Sequence, residues 1–157
     1  MTATGSAGRE RPFPAKRVAD QLLQLVITRH PVEHGADPAG LGDEHGRVAC
    51  AARLYGQRGD LRKASRMIEL VWKHAPHPQL ADIYVNLRTG DSAADKRKRA
   101  QTLAKLAPGD PESRMAVART AIAAREFETA RDFMGPLVTD AEQRPTRRMC
   151  ALMADLE

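Results

Sequence analysis

The sequence predicts an all-α protein built from antiparallel helical hairpins. Hydrophobic residues make up 42% of its 157 residues but aromatic residues only 4%, whereas β-sheet proteins favour aromatic and β-branched side chains. Every apolar segment has helical spacing, and each break between segments carries a turn signal. In segment 59–76, for example, Ile68, Val71 and Trp72 recur at helical spacing between a Gly-Asp turn and a helix-ending proline.

The composition is that of a mildly basic chain, with a formal net charge of +5. This charge favours acidic partners or anionic surfaces without selecting one.

The longest strongly apolar stretch, Leu22 to Ile27, is far shorter than the roughly 20 residues of a membrane-spanning helix, and the amino end lacks the apolar core of a signal peptide. We therefore expect a cytoplasmic chain. Cys50 and Cys150 fit no disulfide framework or zinc spacing, and we expect both to be buried, reduced thiols.

The order of segments along the chain predicts four regions. The first is rich in glycine, proline and charge, and the third holds three glycines, a proline and four acids, so neither has an apolar period to bury. The regions are a disordered lead (1–14), a helix that we interpret as the remnant of an earlier hairpin (15–31), a polar loop (32–45) and a helical repeat domain (46–157).

Seven helices are expected in the repeat domain, at about 46–57, 61–75, 79–87, 93–106, 111–124, 128–137 and 146–157, with Glu126 and Phe127 in the turn before the sixth. Ser92 and Asp95 form a predicted capping box, and Asp110 is the predicted cap of the helix that Pro111 begins. Gly135-Pro136 should weaken or kink the sixth helix. The last helix places Met149, Leu152, Met153 and Leu156 on one apolar face that nothing downstream covers, so we expect self-association.

A repeat connects these helices. Ala64 and Ala130, each at a predicted close helix contact, are 66 residues apart, which is twice 33 and close to the period of about 34 of tetratricopeptide-type hairpins. Ala19 precedes Pro31 by the same distance as Ala64 precedes Pro76. In the central copy Lys96 or Arg97 falls where alanine is expected. The sequence thus predicts three hairpins stacked as a short tetratricopeptide-like solenoid.

The carboxy-terminal two thirds of the chain, from about Arg47 to Glu157, resembles the carboxy-terminal region of the HemY family of bacterial inner-membrane proteins. The most specific segments are PHP-x-LA-x-x-Y at 76–84, Gly-Asp-Ser at 90–92 and Leu-Met-Ala at 152–154. The resemblance implies a tetratricopeptide-like domain held at the cytoplasmic face of the inner membrane by amino-terminal helices that this sequence lacks. It also implies a link to haem biosynthesis, without an agreed activity.

The leading functional hypothesis is a non-enzymatic interaction scaffold, with haem-synthesis enzymes as candidate partners. The first helices of stacked hairpins line a concave surface that accepts a peptide. Arg53 and Arg119 fall at equivalent positions on that surface and suit carboxylates, although both also fit solvated arginines. The predicted partner-binding residues are Arg53, Gln57, Met115 and Arg119.

The alternative hypothesis is a tetrapyrrole-binding protein or non-catalytic regulator in late haem synthesis. His74 and His77, with Met67 nearby, are conceivable iron ligands, but their place beside two prolines at a helix end favours turn residues. A second conceivable set of metal ligands meets no known ligand spacing: His30, His34, His45, Asp37 and Asp43. The sequence also contains no recognisable catalytic arrangement, so we predict no catalytic, cofactor or metal site.

A run of four basic residues, Lys96, Arg97, Lys98 and Arg99, is the strongest local charge. Consecutive residues point around most of a helix, and no aromatic residues interleave with the run for base stacking. We therefore expect no nucleic-acid binding. A solvated helix and a contact with an anionic membrane surface both remain open for this run.

Overall fold

The computed structural model describes residues 38–139 and 145–157. Within these residues it contains α-helices and no β-strand, which confirms the all-α prediction. The helices are α1 (Pro38–Gln57), α2 (Leu61–Trp72), α3 (Pro78–Val85), α4 (Ala93–Leu106), α5 (Pro111–Ala123), α6 (Phe127–Thr139) and α7 (Arg147–Ala154).

The helices pack in the order in which they follow along the chain. Each contacts the next helix, and α1, α2, α3 and α5 each also contact the helix after that. The spacing is regular, because α2 and α6 begin 66 residues apart and α3 and α5 begin 33 residues apart. Consecutive helices therefore bury their apolar faces against near neighbours in sequence.

Helix α5 lies at the centre of this packing, in contact with α3, α4, α6 and α7. It buries small residues on several sides, including Ala116, Ala118 and Ala121, which let its neighbours approach closely. The buried Trp72 indole on α2 donates a hydrogen bond of 3.2 Å from Nε1 to Ser113 Oγ on α5. Both polar atoms thereby gain the partner that buried groups require.

Within residues 38–139 and 145–157, the core consists of two hydrophobic clusters. The first cluster has members on each helix from α1 through α5 and contains the largest buried side chains, among them Trp72 and Tyr55. The second joins α5, α6 and α7. Met149, Leu152 and Leu156 belong to this second cluster, so the expectation that the last apolar face is uncovered is wrong. The reason is that α7 folds back onto α5 and α6.

The predicted helix caps of α4 and α5 are present. Ser92 Oγ accepts from the Asp95 backbone N–H at 3.2 Å, while Asp95 Oδ2 accepts from the Ser92 N–H at 3.3 Å. The Ser92 hydroxyl also donates to Asp95 Oδ2 at 2.6 Å, and this bond, followed by the one from the Ser92 N–H, lowers the pKa of the Asp95 carboxyl. Asp110 Oδ1 accepts from the N–H groups of Glu112 and Ser113. The two capping predictions are thus confirmed.

The beginning of α1 corrects the polar loop predicted over 32–45. The helix begins at Pro38, whose fixed φ suits the first helical position, and His45 lies within it. His45 Nε2 donates to the Ala75 carbonyl oxygen at 3.0 Å, and this tertiary contact holds a segment whose glycines disfavour helix. The disordered lead and the helix predicted over 15–31, with Ala19, lie outside the described residues.

Similar turns end α1 and α5. Gly59 and Arg125, 66 residues apart, both lie in the left-handed region, with φ of 80° and 58°. In each turn the following N–H group bonds back five residues, from Asp60 to the Tyr55 oxygen and from Glu126 to the Ala121 oxygen. This is the Schellman pattern of helix ends, and it turns the chain into the next helix.

Both cysteines are exposed free thiols, so their predicted burial is wrong. Cys50 lies on α1 two residues after Val48 and two before Ala52, which both face the core. At 3.6 residues per turn, a residue two positions from a buried one points about 200° away. The same geometry places Cys150, two positions before buried Leu152, on the outer side of α7.

Candidate functional site

Two neighbouring clefts run along α1, α3 and α5. One has a volume of about 380 Å³ and is bounded by Arg53 and Gln57 of α1. The other, of about 290 Å³, is bounded by Arg119 of α5 and by Lys96 of α4. Asp82 of α3 and Asn86, the residue that follows α3, line both clefts. We call this surface the α1–α3–α5 groove.

The middle of the groove carries a fixed polar arrangement. Arg119 Nη1 donates to Asp82 Oδ1 at 2.9 Å, and Asn86 Nδ2 donates to the Asp82 carbonyl oxygen at 2.8 Å. The Arg119 and Asp82 side chains are 42% and 60% exposed, so solvent screens their attraction and the pair contributes little to stability. It remains available to a ligand.

Three of the four predicted partner-binding residues lie on this groove, namely Arg53, Gln57 and Arg119. Met115 does not, because its side chain is 2% exposed and packs in the second hydrophobic cluster. The assignment of Met115 as a contact residue is therefore corrected. The prediction was wrong because α5 is central and is covered by other helices on several sides. The helical period alone therefore did not identify the outer face of α5.

Sequence reasoning missed Asp82 and Asn86. Asp82 lies on α3 and Asn86, four residues later, is its C-cap, and both are exposed next to residues that are buried in the core. Side chains with this spacing share one face of a helix, so two exposed polar residues in an otherwise apolar helix were a usable signal. The ion pair with Arg119, 37 residues away, had no such local signal.

The basic run on α4 is largely neutralised by carboxylates of the chain itself. Arg99 Nε lies 2.9 Å from an oxygen of Asp91, and Arg97 Nε lies 2.9 Å from an oxygen of Glu126, in an ion pair without hydrogen-bond geometry. Lys98 Nζ is 3.8 Å from Asp95. Lys96, the remaining member, faces the α1–α3–α5 groove.

The candidate iron ligands are engaged in other ways. His77 caps α3, with its Nδ1 accepting from the Gln79 N–H at 3.3 Å, and its ring stacks on that of His45 at 4.6 Å between centroids. Burial, followed by the neighbouring His45, lowers the pKa of His77. Met67 is fully buried, and His74 is exposed.

No cluster of three or more potential metal-ligating residues occurs in the described parts of the chain. Of the earlier candidate ligands, His30, His34 and Asp37 lie outside those parts. Among the described helices, none combines the length and the apolar character that crossing a membrane requires. No family model matches the chain, and no curated protein or solved structure matches it either.

Proposed function

We propose that the chain is a short tetratricopeptide-like array and serves as a non-catalytic scaffold that binds an acidic peptide segment of a partner protein. The regular spacing of helix starts and the packing of helices on near neighbours support the array. So does the complete burial of Ala64 and Ala130 at the positions where two helices are expected to touch.

The observation that carries the binding role is the α1–α3–α5 groove. Its two clefts share Asp82 and Asn86, so they form adjoining parts of one surface. Such a surface offers an extended peptide several contact points on rigid helices, which limits the ordering cost of binding. In the proposed array these are the first helices of successive hairpins, which line the concave side.

The charge of the groove favours an acidic peptide. Asp82 and Arg119 balance each other, and Asp91 is paired with Arg99. Arg53 and Lys96 have no hydrogen-bond or ion-pair partner within residues 38–139 and 145–157. Two cations without counter-charges, one in each cleft, match carboxylates on a bound segment.

The proposal can be tested with peptides selected from a random library on the full chain. Binding of labelled peptides is measured by fluorescence anisotropy for the wild type and for Arg53→Glu and Lys96→Glu. We expect the selected peptides to be rich in Asp and Glu and to bind each variant at least about tenfold more weakly, because the charge at the contact is reversed.

Arg58→Glu is the matched control, since Arg58 is exposed in the turn after α1 and lies outside both clefts. Its affinity for the same peptides should stay close to that of the wild type. Selection of peptides without acidic residues, or equal weakening in all three variants, would contradict binding in the groove.

We also propose, on the resemblance to the HemY family alone, that this scaffold is part of a membrane-anchored protein associated with haem biosynthesis. The test is co-purification of haem-synthesis enzymes with a membrane-anchored full-length form, and its loss with Arg53→Glu. The tetrapyrrole-binding alternative gains no support from Met67, which is fully buried, or from His77, whose Nδ1 caps α3. A Soret shift on haem titration that disappears in His74→Ala would restore it.

A further inference from the structure

A third cleft, of about 380 Å³, is lined by arginines from three parts of the fold. Arg62 and Arg66 come from α2, Arg88 comes from the connection between α3 and α4, and Arg99 comes from α4. Glu69 is the acid in the lining. We call this the arginine cleft. It shares no lining residue with the α1–α3–α5 groove.

Each of the two carboxylates near the arginine cleft already accepts a hydrogen bond from the chain, and Glu69 offsets one of the positive charges in the lining. Glu69 Oε1 accepts a hydrogen bond of 2.6 Å from the Tyr84 hydroxyl, and burial, followed by this bond, raises the pKa of Tyr84, so the hydroxyl stays a donor. Asp91 is held by Arg99 at 2.9 Å.

Three arginines of the cleft are left without partners. Arg62, Arg66 and Arg88 have no ion-pair or hydrogen-bond partner in the described parts of the chain. A guanidinium cannot lose its proton in a protein, so these like charges cannot be relieved by titration. An anion bound between them would relieve the repulsion and supply the missing acceptors.

The shape and chemistry of the cleft limit the class of anion. Its volume is near the lower end of the roughly 300–1,000 Å³ of small-molecule sites, which suits a compact ligand. Guanidinium groups bind phosphate oxygens through paired hydrogen bonds. Several guanidiniums arranged around one cleft can engage more than one phosphoryl group at once.

We propose that the arginine cleft is a binding site for a small diphosphate-bearing anion, held by Arg62, Arg66 and Arg88 with Arg99 at its edge. The site does not depend on the proposed peptide-binding role, because it lies on other residues. The diphosphate can be free in solution or part of a larger small molecule, and the shared chemistry is the pair of linked phosphoryl groups.

Calorimetric titration of the full chain with inorganic pyrophosphate tests the site. We expect one site per chain, with an affinity that falls as salt is raised. In the double variant Arg66→Gln/Arg88→Gln the affinity should fall by roughly 100-fold, since each charged hydrogen-bonding partner removed costs about a factor of ten or more. Both residues are exposed, and circular dichroism checks that the variant is folded.

The matched control is Arg125→Gln/Arg131→Gln, which removes the same charge from exposed positions outside the cleft. It should bind pyrophosphate within about twofold of the wild type if the effect is local. Equal weakening in both double variants, or no binding of pyrophosphate by the wild type, overturns the proposal. Arg88→Gln alone, in a connecting segment, provides the same comparison if the double variant does not fold.

Two further titrations distinguish the source of the anion. Inorganic phosphate should bind at least about tenfold more weakly than pyrophosphate, because it offers one phosphoryl group instead of two. Vesicles of phosphatidylcholine with phosphatidic acid should not retain the chain more than phosphatidylcholine alone. Retention on the acidic vesicles without pyrophosphate binding would assign the arginines to a membrane surface and overturn the diphosphate site.

Discussion

Single residues at equivalent turns set how α1 and α5 end. Gly59 adopts its left-handed conformation without strain, whereas a side chain in this region, such as that of Arg125, costs about 1–2 kcal/mol. We predict that Arg125→Gly raises the free energy of unfolding by up to about 1 kcal/mol, after allowance for the greater entropy of glycine in the unfolded chain. Urea denaturation measures the change.

Gly59→Ala provides the reciprocal comparison. A Cβ atom at Gly59 would meet nothing within 4 Å, so its cost comes from the backbone conformation alone. It should lower the free energy of unfolding by about 1 kcal/mol. Loss of stability in Arg125→Gly would mean that the arginine side chain stabilises the turn in another way.

His77 links the stability of the molecule to pH. Its pKa is lowered from 6.5 in the folded chain, so the unfolded chain binds a proton more readily, and stability falls as pH drops below about 6.5. Protonation also removes the Nδ1 acceptor that caps α3. The nearby charged or titratable groups are His45, Glu112 and Arg148, of which Glu112 alone opposes the shift.

We predict that His77→Asn reduces the loss of stability between about pH 7 and about pH 5, because asparagine caps a helix without titrating in this range. The measurement is urea denaturation at several pH values. At pH 7 the variant should be about as stable as the wild type. An unchanged pH profile would show that other groups control acid unfolding.

Close contacts between helices depend on small residues. Ala64 on α2 and Ala130 on α6 are fully buried, and a larger side chain at either place would push two helices apart. We predict that Ala64→Leu and Ala130→Leu each lower the free energy of unfolding by about 1–3 kcal/mol. Ala94→Leu, at an exposed position on α4, is the matched control and should change stability little. Thermal denaturation of the three variants makes the comparison.

Helix positions were predictable to different degrees along the chain. The caps of α4 and α5 depend on residues close in sequence, so Ser92 and Asp110 were identified correctly. The beginning of α1 was not predicted, because its glycines disfavour a helix. Contacts between residues distant in sequence, such as that of His45 with Ala75, help to hold this helix. Arg97, at the expected alanine position of the central copy, is accommodated because its guanidinium reaches Glu126.

For the molecule as a whole, burial of the apolar face of α7 means that a charged substitution there should destabilise the fold. Leu152 is 6% exposed, so we predict that Leu152→Glu lowers the free energy of unfolding by about 2–5 kcal/mol, through lost packing and a buried charge. Ala151→Glu, on the exposed side of α7, is the control. Chemical denaturation provides the measurement.

Self-association stays a prediction, but the α7 face no longer supports it. The α7 face can lie in the core of one chain or in an interface between two copies. Sedimentation of Leu152→Glu alongside the wild type distinguishes these two possibilities. If the wild type were oligomeric and the variant a stable monomer, α7 would belong to an interface between copies and not to the core of one chain.

The candidate site was partly predictable for a similar reason. Arg53 and Arg119 follow from the proposed repeat, in which equivalent positions of equivalent helices face the same side. The prediction of Met115 as a contact residue was wrong because the central helix α5 has neighbours on several sides. Which sides these are depends on how the whole chain packs. The arginine cleft brings together α2, α4 and a connection, and its members have no common sequence period.

The division of the core into two clusters implies unequal resistance to local opening. Among the residues that the structure describes, the first cluster has nineteen buried members and the second has nine, and the second contains no fully buried aromatic side chain. In native-state hydrogen exchange, amides of α6 and α7 should therefore exchange through partial unfolding at a lower free energy than those of α2. Helix α5 contributes to both clusters, so some of its amides should exchange like those of α2 and others like those of α6 and α7. Equal protection of the amides of α2 and α7 would mean that the two clusters open together.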